Sequence, residues 1–159
     1  MFKFKKRSIP KVGKIRYLGQ YAAIRYYCVR YASGCLEKLP WGKAQFDCGI
    51  FVNPSSDQNE VERCIQEVIR KNNDWILTFG ADSERWHDRI DNASVDIGRQ
   101  KQVGDGDPMT AWIDDIKTLG ELDISCNFGG CDAFLLILIG FTDKTIQEIQ
   151  SFKRKLRKK

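Results

Sequence analysis

One histidine and its neighbours are the residues whose types and spacing could do acid–base chemistry. His87 is the only histidine in the 159 residues, and Asp91 follows it four positions later. Residues four apart share one face of a helix, so the Asp91 carboxylate could orient the imidazole as a general base. An ordinary helix surface shows the same spacing, and no nucleophile motif such as GxSxG accompanies it. Binding is therefore favoured over catalysis.

Two further acidic residues lie in the turn Gly104-Asp105-Gly106-Asp107-Pro108. The spacing is not that of a calcium loop, and the chain has no GxGxxG motif and no phosphate-loop lysine motif. A turn held by aspartate side chains is the ordinary interpretation. If the protein is an enzyme, Asp105 and Asp107 join His87 and Asp91 as the candidate catalytic residues.

The cysteine pattern predicts neither a metal site nor a cofactor. No pair has CxxC spacing, and with one histidine a zinc site would need thiolates from scattered positions. We expect buried, reduced cysteines. The six are Cys28, Cys35, Cys48, Cys64, Cys126 and Cys131.

Apolar runs alternate with amphipathic stretches along the chain. The runs at 44–52, 75–79 and 133–139 are typical of buried strands, and helices are expected at 61–69, 83–92 and 114–122 and after Thr142. Residues 95–103 are expected to be extended. This alternation predicts an α/β three-layer sandwich, with a mainly parallel sheet of 4–5 strands and helices on both faces.

Residues 15–32 are ambiguous. Ile15, Leu18 and Ala22 begin a helical stripe, yet the segment IRYYCVRY is rich in strand formers. Because Gly34 can end a helix and Pro40 follows, we favour an added N-terminal helix.

Charge divides the chain into a basic tail (1–14), one α/β domain (15–150) and a basic C-terminal helix end (151–159). Residues 1–40 carry ten Lys/Arg and one Glu, or +9; residues 41–150 carry ten Lys/Arg and twenty acids, or −10; residues 151–159 carry six Lys/Arg, or +6. The basic ends are either solvated or bind nucleic acid or an acidic partner. The acidic body favours a basic protein partner.

Ligands of an open parallel sheet bind where strands give way to helices. The turns at 53–56, 80–83, 104–110 and 140–143 are expected to share that edge, and their aspartates disfavour phosphate there. The predicted binding residues are Ser55, Asp82, Ser83, Asp88, Asp105, Asp107, Thr110 and Trp112.

The N-terminus MFKFKKRSIPKVGK has no apolar region of a secretory signal, and the longest apolar run, 133–139, is too short to cross a bilayer. A cytoplasmic location without membrane contact is expected.

Phe79-Gly80, Glu84-Arg85-Trp86-His87-Asp88-Arg89-Ile90-Asp91 and Met109-Thr110-Ala111-Trp112 resemble a family of small uncharacterised bacterial α/β proteins. In that family a His-Asp-x-Ile-Asp helix follows the strand end, and histidine usually follows Met-Thr-x-Trp. Here Ile113 stands instead, which argues against a shared catalytic role. Small bacterial proteins without a catalytic signature are often immunity proteins, which suggests that role by analogy.

Three functions follow as hypotheses. The first is a non-catalytic immunity protein that neutralises a cognate, basic toxin through an acidic surface. The second is a small enzyme acting on a nucleotide or phosphorylated substrate at the carboxyl edge of the sheet. The third is nucleic-acid binding through the basic ends.

Overall fold

A computed structural model describes residues 11–80, 82–98, 108–113, 131–141 and 154. Within them, six strands form one sheet, accompanied by two helices. The elements are β1 (Arg16–Tyr21), β2 (Ile24–Arg30), β3 (Phe46–Val52), α1 (Gln58–Val68), β4 (Asn73–Phe79), α2 (Ser83–Gly98), β5 (Met109–Ile113) and β6 (Ala133–Ile139).

The sheet has the order β1-β2-β6-β3-β4-β5 and is mostly parallel. Five neighbouring strands, from β2 to β5, are parallel, and β1 pairs antiparallel with β2 at one edge. All seven residues of β3 and of β6 are buried, as a central parallel strand requires. The α/β class is confirmed, in a mixed sheet with one strand more than the largest number predicted.

The predicted N-terminal helix is wrong, because residues 16–30 form the β1–β2 hairpin. Ala22 and Ala23 make its two-residue turn with φ of 47° and 68°. Such a turn needs positive φ at both central positions and is usually built from Asn-Gly or Asp-Gly. The strand formers of β2 then pair with β6, where Cys28 lies opposite Leu136. The burial of a whole strand thus outweighs an unfavourable turn.

Helix α1 confirms its predicted apolar stripe. The Asp57 side chain accepts a hydrogen bond from the Asn59 backbone N–H at 2.9 Å, which caps the first turn. Its buried residues recur at helical spacing and are Val61, Cys64, Ile65 and Val68.

Helix α2 is longer than predicted. It continues to Gly98, so the extended segment expected from Val95 is wrong over 95–98, and the rest of that segment lies outside the described residues. Trp86, Ile90 and Ala93 form its buried stripe. Among the residues described, no helix is both long and apolar enough to cross a bilayer.

Both helices pack on the same face of the sheet. Leu135 and Ile137 of β6 join the core cluster that contains α1 and α2, whereas Leu136 and Leu138 join a second cluster on the opposite face. The helices predicted at 114–122 and after Thr142 lie outside the described residues. The three-layer arrangement therefore stays a prediction.

Candidate functional site

Strand β5 and helix α2 bring together several of the predicted site residues. β5 is the last strand in the sheet order, and α2 packs beside it. Side chains alternate along a strand, so Thr110 and Trp112 face α2, while Ala111 and Ile113 pack into the cluster on the other face. Two of the three segments that carried the sequence resemblance, 84–91 and 109–112, are thus in direct contact.

A polar network joins α2 to β5. The Thr110 hydroxyl donates a hydrogen bond to Asp91 Oδ1 at 2.5 Å and lies 3.0 Å from His87 Nε2. His87 Nε2 is 3.5 Å from Asp91 Oδ2, and His87 Nδ1 is 3.2 Å from Asp88 Oδ1. The expected contact between His87 and Asp91 is therefore present. Thr110 completes it as a third member.

Trp112 stands over this network. Its ring centroid is 4.6 Å from that of the His87 imidazole, at an interplanar angle of 55°. The His87 side chain is 12% exposed, whereas Trp112 remains 43% exposed. His87, a member of this network, therefore packs against an exposed tryptophan.

The side of α2 next to β5 is an acidic ridge formed by Glu84, Asp88 and Asp91. These residues follow each other at intervals of four and three, so they line one side of the helix, and Val95 continues that line. Val95 is itself exposed. We call Glu84, Asp88, Asp91, Val95 and Trp112, with His87 and Thr110 beneath them, the α2–β5 surface.

The arginines of α2 lie on its other side, toward α1. Arg89 makes a bidentate ion pair with Glu62, with N–O distances of 2.6 and 2.9 Å. Arg85 donates a hydrogen bond to the Gln58 side chain at 3.3 Å. Arg89 lowers the pKa of Glu62 by hydrogen bonding and by its charge. Both arginines are thus directed at α1 and away from the acidic ridge.

The carboxyl edge of the sheet holds the other described members of the predicted binding set. Ser55 is exposed but directs both its amide and its hydroxyl to Asn53 Oδ1. Asp82 is exposed with a φ of 59°. Ser83 is buried, so a partner would not reach it directly. Asp105 and Asp107 lie outside the described residues.

Strands β3 and β6 end in a tight junction at this edge. The Ser56 hydroxyl donates a hydrogen bond to the Ile139 carbonyl oxygen at 3.0 Å, and the backbone N–H of Asn53 donates to the same oxygen at 2.9 Å. Gly140 has a φ of 73°, and a Cβ there would lie 2.0 Å from Ser56 Oγ. The two predicted turns thus meet, but backbone contacts fill the space between them.

Sequence reasoning missed a group at the opposite, amino edge. Asp47 of β3, Asp74 of β4 and Cys131, just before β6, each place one side-chain ligand atom within 4.8 Å of the others. The relevant signal was available, because polar residues at the starts of parallel strands meet at one edge.

Burial controls the ionisation of this group. Asp47 is 2% exposed, and burial raises its pKa to about 6, with the Asp74 charge adding to the rise. The Cys131 thiol and the amides of Trp75 and Cys131 favour the ionised carboxylate and oppose that shift. Burial, followed by the charges of Asp47 and Asp74, raises the pKa of Cys131 to about 12.

A basic cleft of about 710 Å³ lies beside the end of α1. The cleft is lined by four cationic side chains and one acidic side chain, that of Glu37, and Phe46 forms part of its apolar wall. The cations are Lys38, Lys43, Arg70 and Lys71. The protein thus presents a basic surface as well as an acidic one.

A family model described as Domain of unknown function (DUF7684) matches residues 26–122, more than half of the chain. The chain belongs to this family. No curated protein and no solved structure gave a match. The matched segment contains both sides of the α2–β5 surface, together with Asp47 and Asp74, whereas Cys131 lies beyond it. A resemblance to an uncharacterised family is therefore confirmed, without any activity attached to it.

The five described cysteines, Cys28, Cys35, Cys48, Cys64 and Cys131, are free, and Cys126 lies outside the described residues. Burial raises the pKa of Cys28 to about 12 and raises those of Cys48 and Cys64 as well. These three thiols are core residues that stay protonated at neutral pH.

Proposed function

We propose that this protein binds a basic protein partner through its α2–β5 surface without transforming it. An immunity protein that neutralises a cognate basic toxin is the specific form of this proposal. The observation that carries it is the exposed indole of Trp112, supported by a polar network and bordered by the acidic ridge.

Trp112 has the properties of a binding anchor. Tryptophan is enriched among the few interface residues whose removal costs 2 kcal/mol or more, because a large rigid ring buries much area with little loss of side-chain freedom. Its contact with His87 limits its motion before any partner arrives. A partner would therefore lose less entropy on binding than it would with a mobile side chain.

The acidic ridge supplies charge complementarity. Glu84, Asp88 and Asp91 lie together, and the described arginines of α2 are directed toward α1. Such a patch accelerates the encounter with a basic surface and repels an acidic one. It also disfavours phosphate, since a phosphorylated substrate would have to approach three carboxylates.

The experiment is capture of the partner from the native host with the tagged full chain, followed by affinity measurements on the purified pair. Trp112→Ala should weaken binding by a factor of about 30 or more, which corresponds to 2 kcal/mol. Asp88→Asn combined with Asp91→Asn should slow association and reduce its dependence on salt.

Two controls match these variants on other parts of the sheet. Tyr17 is also an exposed aromatic residue, 50% exposed, but it lies on β1 at the opposite edge, and Asp132 is an exposed acid at the amino edge. Tyr17→Ala and Asp132→Asn should bind like the wild type. Unchanged affinity in Trp112→Ala, or capture of nucleic acid instead of a protein, would overturn the proposal.

A second candidate function rests on the contacts of Thr110 with His87 and Asp91. A hydroxyl between an imidazole and a carboxylate is a group that an acid–base enzyme could activate. Incubating the protein with nucleotides and simple phosphate esters tests this alternative. Turnover that disappears in His87→Gln but survives in Trp112→Ala would favour the enzyme over the binding module.

A further inference from the structure

We propose that Asp47, Asp74 and Cys131 form a binding site for a divalent metal ion of the zinc type. The three residues lie at the amino edge of the sheet, away from the carboxyl edge where ligands of parallel sheets usually bind. This proposal is independent of the protein-binding function.

The sheet itself holds the three residues together. Parallel pairing places the start of β3 between the starts of β4 and β6, with Phe46 opposite Asn73 and Asp47 opposite Phe134. Cys131 precedes Phe134 by three residues and so lies where β6 begins. Asp47 and Asp74 thus lie on two neighbouring strands, and Cys131 lies just before a third.

The spacing of the ligand atoms suits one ion. The three atoms lie within 4.8 Å of one another. Bonds of roughly 2.0–2.3 Å in tetrahedral geometry would place them about 3.3–3.8 Å apart. Side-chain rotations that draw them together by about 1 Å are enough to close the site.

Asp47 provides a separate reason to expect a cation. The Asp47 residue is only 2% exposed, and its Oδ1 atom has no hydrogen-bond partner in the described part of the chain. A buried carboxylate oxygen without a partner is costly, and a second carboxylate and a thiol lie beside it. A divalent ion would satisfy that oxygen and offset the repulsion between the Asp47 and Asp74 carboxylates.

The ligand types select the class of metal. A thiolate favours zinc and other transition metals, whereas magnesium and calcium prefer sites made of oxygen atoms alone. Asp74 is only partly buried, which leaves the ion a path from solvent. Three protein ligands would leave a fourth, tetrahedral position for water, which is the arrangement of catalytic zinc sites.

The sequence predicted no metal site because these three residues do not form a ligand motif at short spacing. Here 27 positions separate the two aspartates, and Cys131 lies much farther along the chain. The sheet register, rather than a local motif, brings them together.

The test uses the full chain after treatment with a chelator. Titration with cobalt(II) should give one bound ion per chain, with a thiolate-to-cobalt absorption band, and zinc should displace it. Cys131→Ser should abolish the absorption band. Asp47→Asn should lower the zinc affinity by more than the roughly 10- to 100-fold that losing an outer-shell partner costs.

Controls separate metal binding from damage to the fold. Cys35→Ser removes another partly buried thiol, and Asp132→Asn removes an acid next to Cys131, so both variants should bind metal like the wild type. Circular dichroism of the metal-free proteins checks folding, and Asp74→Asn provides a second test if Cys131→Ser does not fold. Absence of stoichiometric binding, or binding that survives in Cys131→Ser and Asp47→Asn, would overturn the site.

Discussion

Two groups of acidic residues on the same sheet differ in their surroundings. On the α2–β5 surface, Asp88 is exposed and Asp91 is partly exposed, and both lie beside His87. At the amino edge, Asp47 is almost fully buried beside Asp74 and Cys131. Burial raises the pKa values of Asp47 and Cys131 in this second group.

The different surroundings suit the aspartates to the two different roles that we propose. Exposed aspartates can keep their charge at little cost, so they suit long-range attraction of a basic surface. A buried aspartate with an unpartnered oxygen destabilises the metal-free fold, and such a cost is typical of a site that binds something. The comparison therefore supports both proposals, the attraction of a basic partner at the α2–β5 surface and the binding of an ion at the amino edge.

The largest expected effect is that of Asp47→Asn on the metal-free protein. Because the folded-state pKa of Asp47 is raised from 3.8 to about 6, its contribution to stability is fully present below pH 3.8 and is lost as the pH rises to about 6. Relative to Asp47→Asn, the wild type should lose at most about 3 kcal/mol of unfolding free energy across that window. Urea unfolding at several pH values, with chelator present, measures the difference.

Zinc supplies the control for that prediction. If the ion binds the ionised carboxylate, saturating zinc should restore the stability of the wild type at neutral pH and leave Asp47→Asn almost unchanged. A difference between the two proteins that does not vary with pH would show that Asp47 is ordinarily solvated, and the contrast between the two acidic groups would fail.

A smaller effect is expected from Thr110→Val. Valine keeps the shape of the side chain but removes the hydroxyl that contacts His87 and Asp91. The unfolding free energy should fall by about 1 kcal/mol, because both partners are partly exposed and water can replace the lost contacts. Thr110→Ser retains the hydroxyl and should recover most of this loss. If Thr110→Val is as stable as the wild type, the network does not hold β5 to α2.

Much of the parallel core could be predicted from the sequence. The runs at 44–52, 75–79 and 133–139 are typical of buried strands, and α1 has an amphipathic pattern typical of a helix packed on a sheet. The β1–β2 hairpin could not be predicted in the same way, since Ala22 and Ala23 give no turn signal and Ala22 continues a helical stripe. Pairing with β6, a partner more than a hundred residues away, decides that region.

The candidate sites show the same division. The contact between His87 and Asp91 follows from helical spacing and was expected. The meeting of Thr110 with both residues depends on the edge position of β5, which local spacing does not encode. The amino-edge group was not predicted, because Asp47, Asp74 and Cys131 become neighbours only through the strand order.

The smallest expected effect comes from Glu62→Gln, which tests an exposed acid with a cationic partner. Arg89 lowers the pKa of Glu62, so this pair contributes stability above the unfolded-state pKa of 4.5 that is lost as the pH falls through the lower folded-state value. At neutral pH the variant should lose about 0.5 kcal/mol, because the pair is exposed to solvent and salt. A double-mutant cycle with Arg89→Gln isolates the contact from other effects of the substitutions.

The sign of this pH dependence is opposite to that of Asp47. On acidification, Glu62 should lose stability relative to its glutamine variant, whereas Asp47 should gain stability relative to its asparagine variant. If the stability differences for Glu62 and Asp47 change in opposite directions with pH, the local surroundings of each acid set its effect on stability, and the net charge of the chain does not. Parallel shifts in both variants would instead point to a general charge effect and remove the physical distinction between Glu62 and Asp47.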